Sequence, residues 1–129
     1  MSDALLPGGK RTLVVLFIPS VERDGTTAVD QDRWVNAALE MFGATYGGAT
    51  AYPKAKGVWR DDERAGVLIF DEPVVVHCYT TPKDAQSATK LKKLAAFCRR
   101  MGRETHQGEI GLVIDDHYYA IRDYKEPKS

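Results

Sequence analysis

Cysteine, histidine and net charge are all scarce in this chain, and each shortage closes a class of function. Two cysteines, Cys78 and Cys98, in 129 residues make no C-x-x-C pair and have no second pair to join, so neither a zinc ribbon nor a disulfide scaffold is indicated. Both lie in apolar runs and are expected to be reduced packing residues. With three histidines and no metal-ligand spacing, neither a metal nor a cofactor is expected. Eighteen basic side chains balance eighteen acidic ones, which removes the global field that draws a protein to nucleic acid or an anionic membrane. No apolar run approaches the roughly 20 residues of a membrane span, and residues 1–9 carry no basic flank ahead of an apolar stretch. A cytoplasmic location and no membrane partner follow as expectations. P-loop, G-x-G-x-x-G turn and nucleophile elbow are also missing, so nucleotide hydrolysis and serine esterase chemistry have no support.

What is present suits one domain. An apolar fraction of 43% supplies a core for a chain of this length, and one core is expected. Residues 1–10 and 123–129 read as flexible tails around a single domain over 11–122. Thr12 to Ile18 is apolar on both alternations, the pattern of a strand covered on both faces. Asp30 can cap a helix whose Trp34, Val35, Ala38, Leu39 and Phe42 share a stripe, with Gly43 or Gly47-Gly48 ending it. Residues 50–60 are strand-like but broken by Pro53 and Gly57, which predicts an edge strand or a bulge. A polar turn over 61–66 returns the chain into a short strand over 67–70.

The densest β-branched stretch is Val74-Val75-Val76-His77-Cys78-Tyr79, a central strand by composition. Thr81-Pro82-Lys83-Asp84 is a capping-box variant that opens a second helix, expected to run through Leu91, Leu94 and Cys98 and stop at Gly102. A strand over 109–114, the Asp115-Asp116 turn and a strand over 118–121 complete the chain. Right-handed crossovers put both helices on one face of an antiparallel sheet. The expected fold is therefore α+β, a ferredoxin-like plait (βαββαβ) with a short extra hairpin.

The run Trp34 to Phe42, then Gly47-Gly48-Ala49-Thr50, Gly57-Val58-Trp59-Arg60, Glu72 and Gln107-Gly108-Glu109-Ile110 resembles a family of small bacterial proteins of unknown function. The resemblance implies the same ferredoxin-like plait and carries over no catalytic residue. The Met101-Gly102-Arg103-Glu104 and His117-Tyr118-Tyr119 segments depart from it.

Strand alternation puts Val74, Val76 and Cys78 under the helices and His77 and Tyr79 on the open sheet face. An open face carrying valine and aromatic side chains is expected to dimerise or to border a small-molecule pocket. His77 and Tyr79 are the candidate acid-base pair for metal-independent chemistry, His77 because modest burial moves its charge across neutral pH. The alternative for His77 is a satisfied sheet residue at a dimer seam. Trp59 and Arg60 are candidate ligand contacts, an aromatic platform and an anion partner. Arg103, Glu104, His106, Gln107 and Glu109 have the residue types for acid-base work or a metal shell, with a solvated loop as the favoured alternative, and His117 beside two acids could bind a divalent ion, with a polar hairpin tip as the favoured alternative.

A different class of function rests on Lys90, Lys92, Lys93, Arg99, Arg100 and Arg103, with no acid between Asp84 and Glu104. That face suits nucleic acid or an acidic protein partner. Two readings therefore stand: a homodimeric small-molecule protein with a pocket on the open sheet face, and a non-enzymatic interaction module using the basic second helix.

Overall fold

A computed structural model describes residues 9–52 and 54–125. Residues 1–8 and 126–129 of the expected tails, and the strand-breaking Pro53, lie outside the described residues. The elements in chain order are β1 (Thr12–Ile18), α1 (Gln31–Tyr46), β2 (Thr50–Tyr52), β3 (Gly57–Asp61), β4 (Val67–Asp71), β5 (Val74–Thr80), α2 (Pro82–Ala85), α3 (Ala88–Glu104), β6 (Ile110–Ile114) and β7 (His117–Ile121). A 3-10 turn over Asp62–Arg64 joins β3 to β4. The fold is mixed α+β. Five strands form one antiparallel sheet in the order β2-β5-β1-β6-β7, and β3 and β4 form a separate two-stranded hairpin.

Residues 50–60 therefore do not make one interrupted strand. They contribute β2 to the edge of the main sheet, paired with β5, and β3 to the hairpin. Gly57 opens the second piece, and the two pieces end in different sheets.

The core follows from period two on the strands and period 3.6 on the helices. Val14, Leu16 and Ile18 of β1 and Val76 and Cys78 of β5 face Trp34, Ala38 and Phe42 of α1 and Leu94, Phe97, Cys98 and Met101 of α3, all buried. Trp34 and Phe97 meet edge to face across the two helices, with ring centroids 5.9 Å apart. Cys78 and Cys98 are free and buried. Burial pushes their thiols up to about 11 and about 12, so at neutral pH they are packing groups.

Helix ends obey local chemistry. The Asp30 side chain accepts from the Arg33 N–H at 3.3 Å, and Gly47, at φ 93°, ends α1 in the left-handed conformation. Thr81 Oγ1 accepts from the Asp84 N–H at 3.1 Å, as the capping box predicts. Yet α2 lasts one turn, because Ser87 caps a new helix by accepting from the Lys90 N–H at 3.3 Å.

The expected stop at Gly102 is also displaced, since α3 continues through it to Glu104. Tyr124 lies over that glycine: a Cβ there would come within 2.1 Å of the Tyr124 ring. Gly102 thus serves close packing rather than chain reversal, and Tyr124, within the expected C-terminal tail, is docked on the core. Among the described residues no helix is long and apolar enough to cross a membrane.

Candidate functional site

The β3–β4 register puts Trp59 with Ile69 and Asp61 with Val67 on one hairpin face, and Val58 with Phe70 and Arg60 with Leu68 on the other. On the first face Ile69 is 6% exposed and Asp61 2%. Ile69 packs against Gly25, in the loop after β1. A buried carboxylate demands compensation. Arg64 Nε donates to Asp61 Oδ2 at 2.7 Å, the Glu63 N–H donates to Oδ1 at 3.1 Å, and the Arg23 guanidinium stands 3.7 Å away. The Arg64 hydrogen bond leads in holding the Asp61 carboxyl below its ordinary value. Arg64 also donates to the Arg23 carbonyl at 2.8 Å, and Arg23 pairs with Glu63. One buried acid thus ties the hairpin to the loop.

The far end of the hairpin is fixed by Ser20. Its N–H donates to Asp71 Oδ1 at 3.0 Å and its hydroxyl donates to the same oxygen. The Glu72 N–H donates to Ser20 Oγ at 2.9 Å.

Anchored at both ends, the hairpin borders a cleft of about 570 Å³ on the open side of the main sheet. Phe17 of β1, Gly111 of β6 and Tyr118 of β7 line one side, and Trp59 and Arg60 line the other. Gly111 is required there, because a Cβ would lie 2.8 Å from the Tyr118 hydroxyl oxygen and 3.3 Å from the Phe17 ring. Tyr118 donates to Glu109 Oε2 at 2.5 Å, and Arg122 Nε donates to Oε1 at 2.9 Å. Burial, then the bond to Glu109, pushes the Tyr118 phenol up to about 12, so it remains a neutral donor at pH 7. Five carboxylates (Asp61, Asp62, Glu63, Asp71, Glu109) face three guanidiniums (Arg23, Arg60, Arg122) around the cleft. Four of the five carboxylates are already paired, Asp61 with Arg64, Asp62 with Arg60, Glu63 with Arg23 and Glu109 with Arg122.

The sequence-predicted residues fall into three places. Trp59 and Arg60 line the cleft, and Arg60 Nε donates to Asp62 Oδ1 at 2.6 Å. His77 and Tyr79 lie on the open face of β5, outside the cleft lining, with Tyr52 of β2. The Tyr52 hydroxyl is 3.3 Å from His77 Nε2, and the His77 ring meets Tyr52 and Tyr79 edge-on at 4.8 and 5.6 Å. The basic side chains stand on α3, where Lys90 pairs with Asp84 at 3.1 Å and Arg100 with Glu104 at 3.7 Å.

Of the acid-base loop, Gln107 and Glu109 reach the cleft. His106 turns to Glu22, with Nδ1 3.1 Å from its carboxylate, and His117 pairs with Asp116 at 3.0 Å in solvent. Arg23, Asp61, Asp71, Tyr118 and Arg122 escape sequence reasoning. Their partners come from distant segments, and only the Asp-Asp-Glu-Arg run after Trp59 marks the place in the chain.

No family model matches the chain, and neither does any curated protein. Two solved structures of a phage SAM lyase are similar in fold. The one in complex with S-methyl-5'-thioadenosine matches at a TM-score of 0.65 and 16% identity, over 98% of this chain and 100% of that one. The apo-state structure matches at a TM-score of 0.65 and 12% identity, over 95% and 98%. At such identities the likeness shows a shared fold.

Proposed function

We propose that the chain is an enzyme acting on S-adenosylmethionine, or a closely related sulfonium nucleoside, in the cleft between the β3–β4 hairpin and the β6–β7 edge. One observation carries the reading: the fold matches, end to end, that of a SAM lyase solved with S-methyl-5'-thioadenosine. The cleft chemistry agrees with it. Trp59 and Tyr118 offer π faces to a sulfonium and to an adenine ring. A carboxylate of the lining suits the ammonium of the amino-acid arm, and an arginine of the cleft suits its carboxylate.

Forming S-methyl-5'-thioadenosine from that substrate breaks the bond between sulfur and the γ-carbon of the amino-acid chain. The electron pair goes to sulfur, which loses its charge. Either a base removes a proton from the β-carbon, or the substrate's own carboxylate attacks the γ-carbon and closes a lactone. Carboxylates are weak bases toward a carbon-bound proton, and no histidine is among the residues lining the cleft. Internal attack needs no external base and balances with the substrate's own atoms, so we assign it. Both charges vanish along this path, and an apolar wall at Phe17 and Pro19 favours their loss.

Incubation with S-adenosylmethionine should release S-methyl-5'-thioadenosine, seen by mass spectrometry, and Trp59→Ala and Glu109→Gln should each slow release by about tenfold or more. Intact substrate after prolonged incubation, with no shift in melting temperature on adding S-methyl-5'-thioadenosine, overturns the reading.

Within the same reading, β2, β5, β1 and β6 form a ferredoxin-like plait into which the hairpin is inserted. The protein acts as a homodimer through apolar surface on the open side. Tyr79 is 62% exposed, and Val58, Leu68 and Phe70 of the outer hairpin face are 55%, 56% and 70% exposed, more than a monomer readily leaves in water. His77 and Tyr79 then belong to the seam rather than to the chemistry. Light scattering should give a dimer mass, weakened in Tyr79→Ser at unchanged cleavage per site; a monomer at every concentration excludes this arrangement.

A further inference from the structure

The cleft leaves the opposite side of the molecule unused. There α1 and α3 pack against each other on the covered face of the sheet, and a shallow groove of about 600 Å³ runs between them. Its floor is apolar: Ala37, Met41 and Ala44 from α1, and Ala96 and Phe97 from α3. Its rim is cationic, with Lys93, Arg100 and Arg103 set against the single carboxylate of Glu40.

Steps of three and four residues lead from Lys93 through Ala96 and Arg100 to Arg103, so these side chains share the outward face of α3, while Phe97, 7% exposed, lies beneath them in the groove floor and Leu94, Cys98 and Met101 point to the core. The rim cations differ in how far they are engaged within the chain. Lys93 and Arg103 have no carboxylate partner within 4 Å among the described residues, Arg103 donating instead to the Tyr124 carbonyl at 2.8 Å, whereas Arg100 and Arg33 share Glu104 at 3.7 and 3.6 Å. Arg100 and Arg33 also lie over the Trp34 ring, 5.4 and 5.0 Å from its centroid, which holds Arg100 in place at the groove's end.

We propose that this groove docks an acidic amphipathic helix of a protein partner, with apolar anchors on Ala96, Phe97 and Met41 and carboxylates on Lys93, Arg100 and Arg103. Charge complementarity selects an acidic occupant, and the apolar floor selects among acidic occupants. A nucleic-acid duplex presents rows of phosphates with nothing to bury against Met41 and Phe97. A helix laid in a groove brings one apolar anchor per turn between its flanking charges. The α3 helix, of 17 residues, is about 25 Å long at 1.5 Å per residue, enough to meet several such turns. The proposal does not depend on the reaction assigned to the cleft.

The test uses the full-length protein and a fluorescent synthetic helix with leucine on one stripe and glutamate beside it. Controls are the same peptide with lysine for glutamate, and a duplex DNA oligonucleotide. Fluorescence anisotropy should show the acidic peptide binding, weakened by added salt. The Lys93→Glu/Arg103→Glu pair should weaken it by about tenfold or more. The uncharged Ala44→Gln/Ala96→Gln pair, which fills the floor, should do the same with helix content by circular dichroism intact. DNA binding as tight as peptide binding, indifference to the floor substitutions, or no peptide binding at low salt each overturns the proposal.

Discussion

The five-stranded body and the β3–β4 hairpin solve the problem of staying folded in opposite ways. In the body, Leu16, Ile18, Phe42, Leu94 and Met101 are fully buried and every strand of the layer contacts a neighbour in the same sheet. In the hairpin the apolar side chains Val58, Val67, Leu68 and Phe70 face solvent, while a carboxylate, Asp61, is buried at 2% exposure. Two strands alone are marginal in water. The hairpin therefore keeps its place through Ile69 against Gly25, the Arg64–Asp61–Arg23 contacts and the Ser20 bonds to Asp71 and Glu72. The body carries the stability, and the hairpin, fastened by few bonds, carries half of the cleft.

Breaking the body should have the largest effect. Leu16, at 0% exposure between α1 and the paired strands, leaves a cavity when cut to alanine, and Leu16→Ala should cost about 3–5 kcal/mol. Denaturant unfolding measures it. A loss under about 1 kcal/mol would mean that the sheet is not the stability centre.

Loosening the hairpin should act on one region only. The folded-state value of Asp61 lies below 3.8, so its contribution to docking is complete above that pH and drains away as the pH falls through the lower folded-state value. Below pH 3.8, amide exchange in β3 and β4 should accelerate before exchange in β1 and β5. Asp61→Asn should show the fast hairpin exchange at neutral pH and lose the acid dependence. Exchange that accelerates together in both regions would merge them into one cooperative unit.

The legibility of the chain divides along the same line. β1 and β5 show in their β-branched composition, and α1 shows in the Asp30 cap, the apolar stripe and the glycine at its end. These are local signals, and the body is made of them. The separation of β2 from β3 was marked only by Pro53 and Gly57, and nothing local says that the two pieces enter different sheets. Trp59 and Arg60 could be chosen by residue type alone. Asp61 could not, because its burial depends on Arg23, which comes from a loop before α1. Gly102 is a helix-stopping residue locally, but in the folded chain it is the floor under Tyr124. Histidine is rare in the chain, yet His106 and His117 are paired to nearby acids outside the cleft lining.

The smallest effect is expected on the outer face of the hairpin, and it separates the two regions most sharply. Leu68 is 56% exposed and Phe70 70%, so each removes little apolar area from water within one chain. Leu68→Ser and Phe70→Ser should leave the unfolding free energy of dilute protein within about 0.5 kcal/mol of the parent. The corresponding change at Leu16 costs several times as much. At high protein concentration the comparison changes character. A self-associating parent is stabilised by mass action, and its melting temperature should rise with concentration while that of Phe70→Ser stays flat. A concentration-independent parent would assign the exposed leucine and phenylalanine to the monomer surface. A serine variant already destabilised in dilute solution would show instead that this face is covered within the single chain, and that the hairpin is less separate from the body than its bonds suggest.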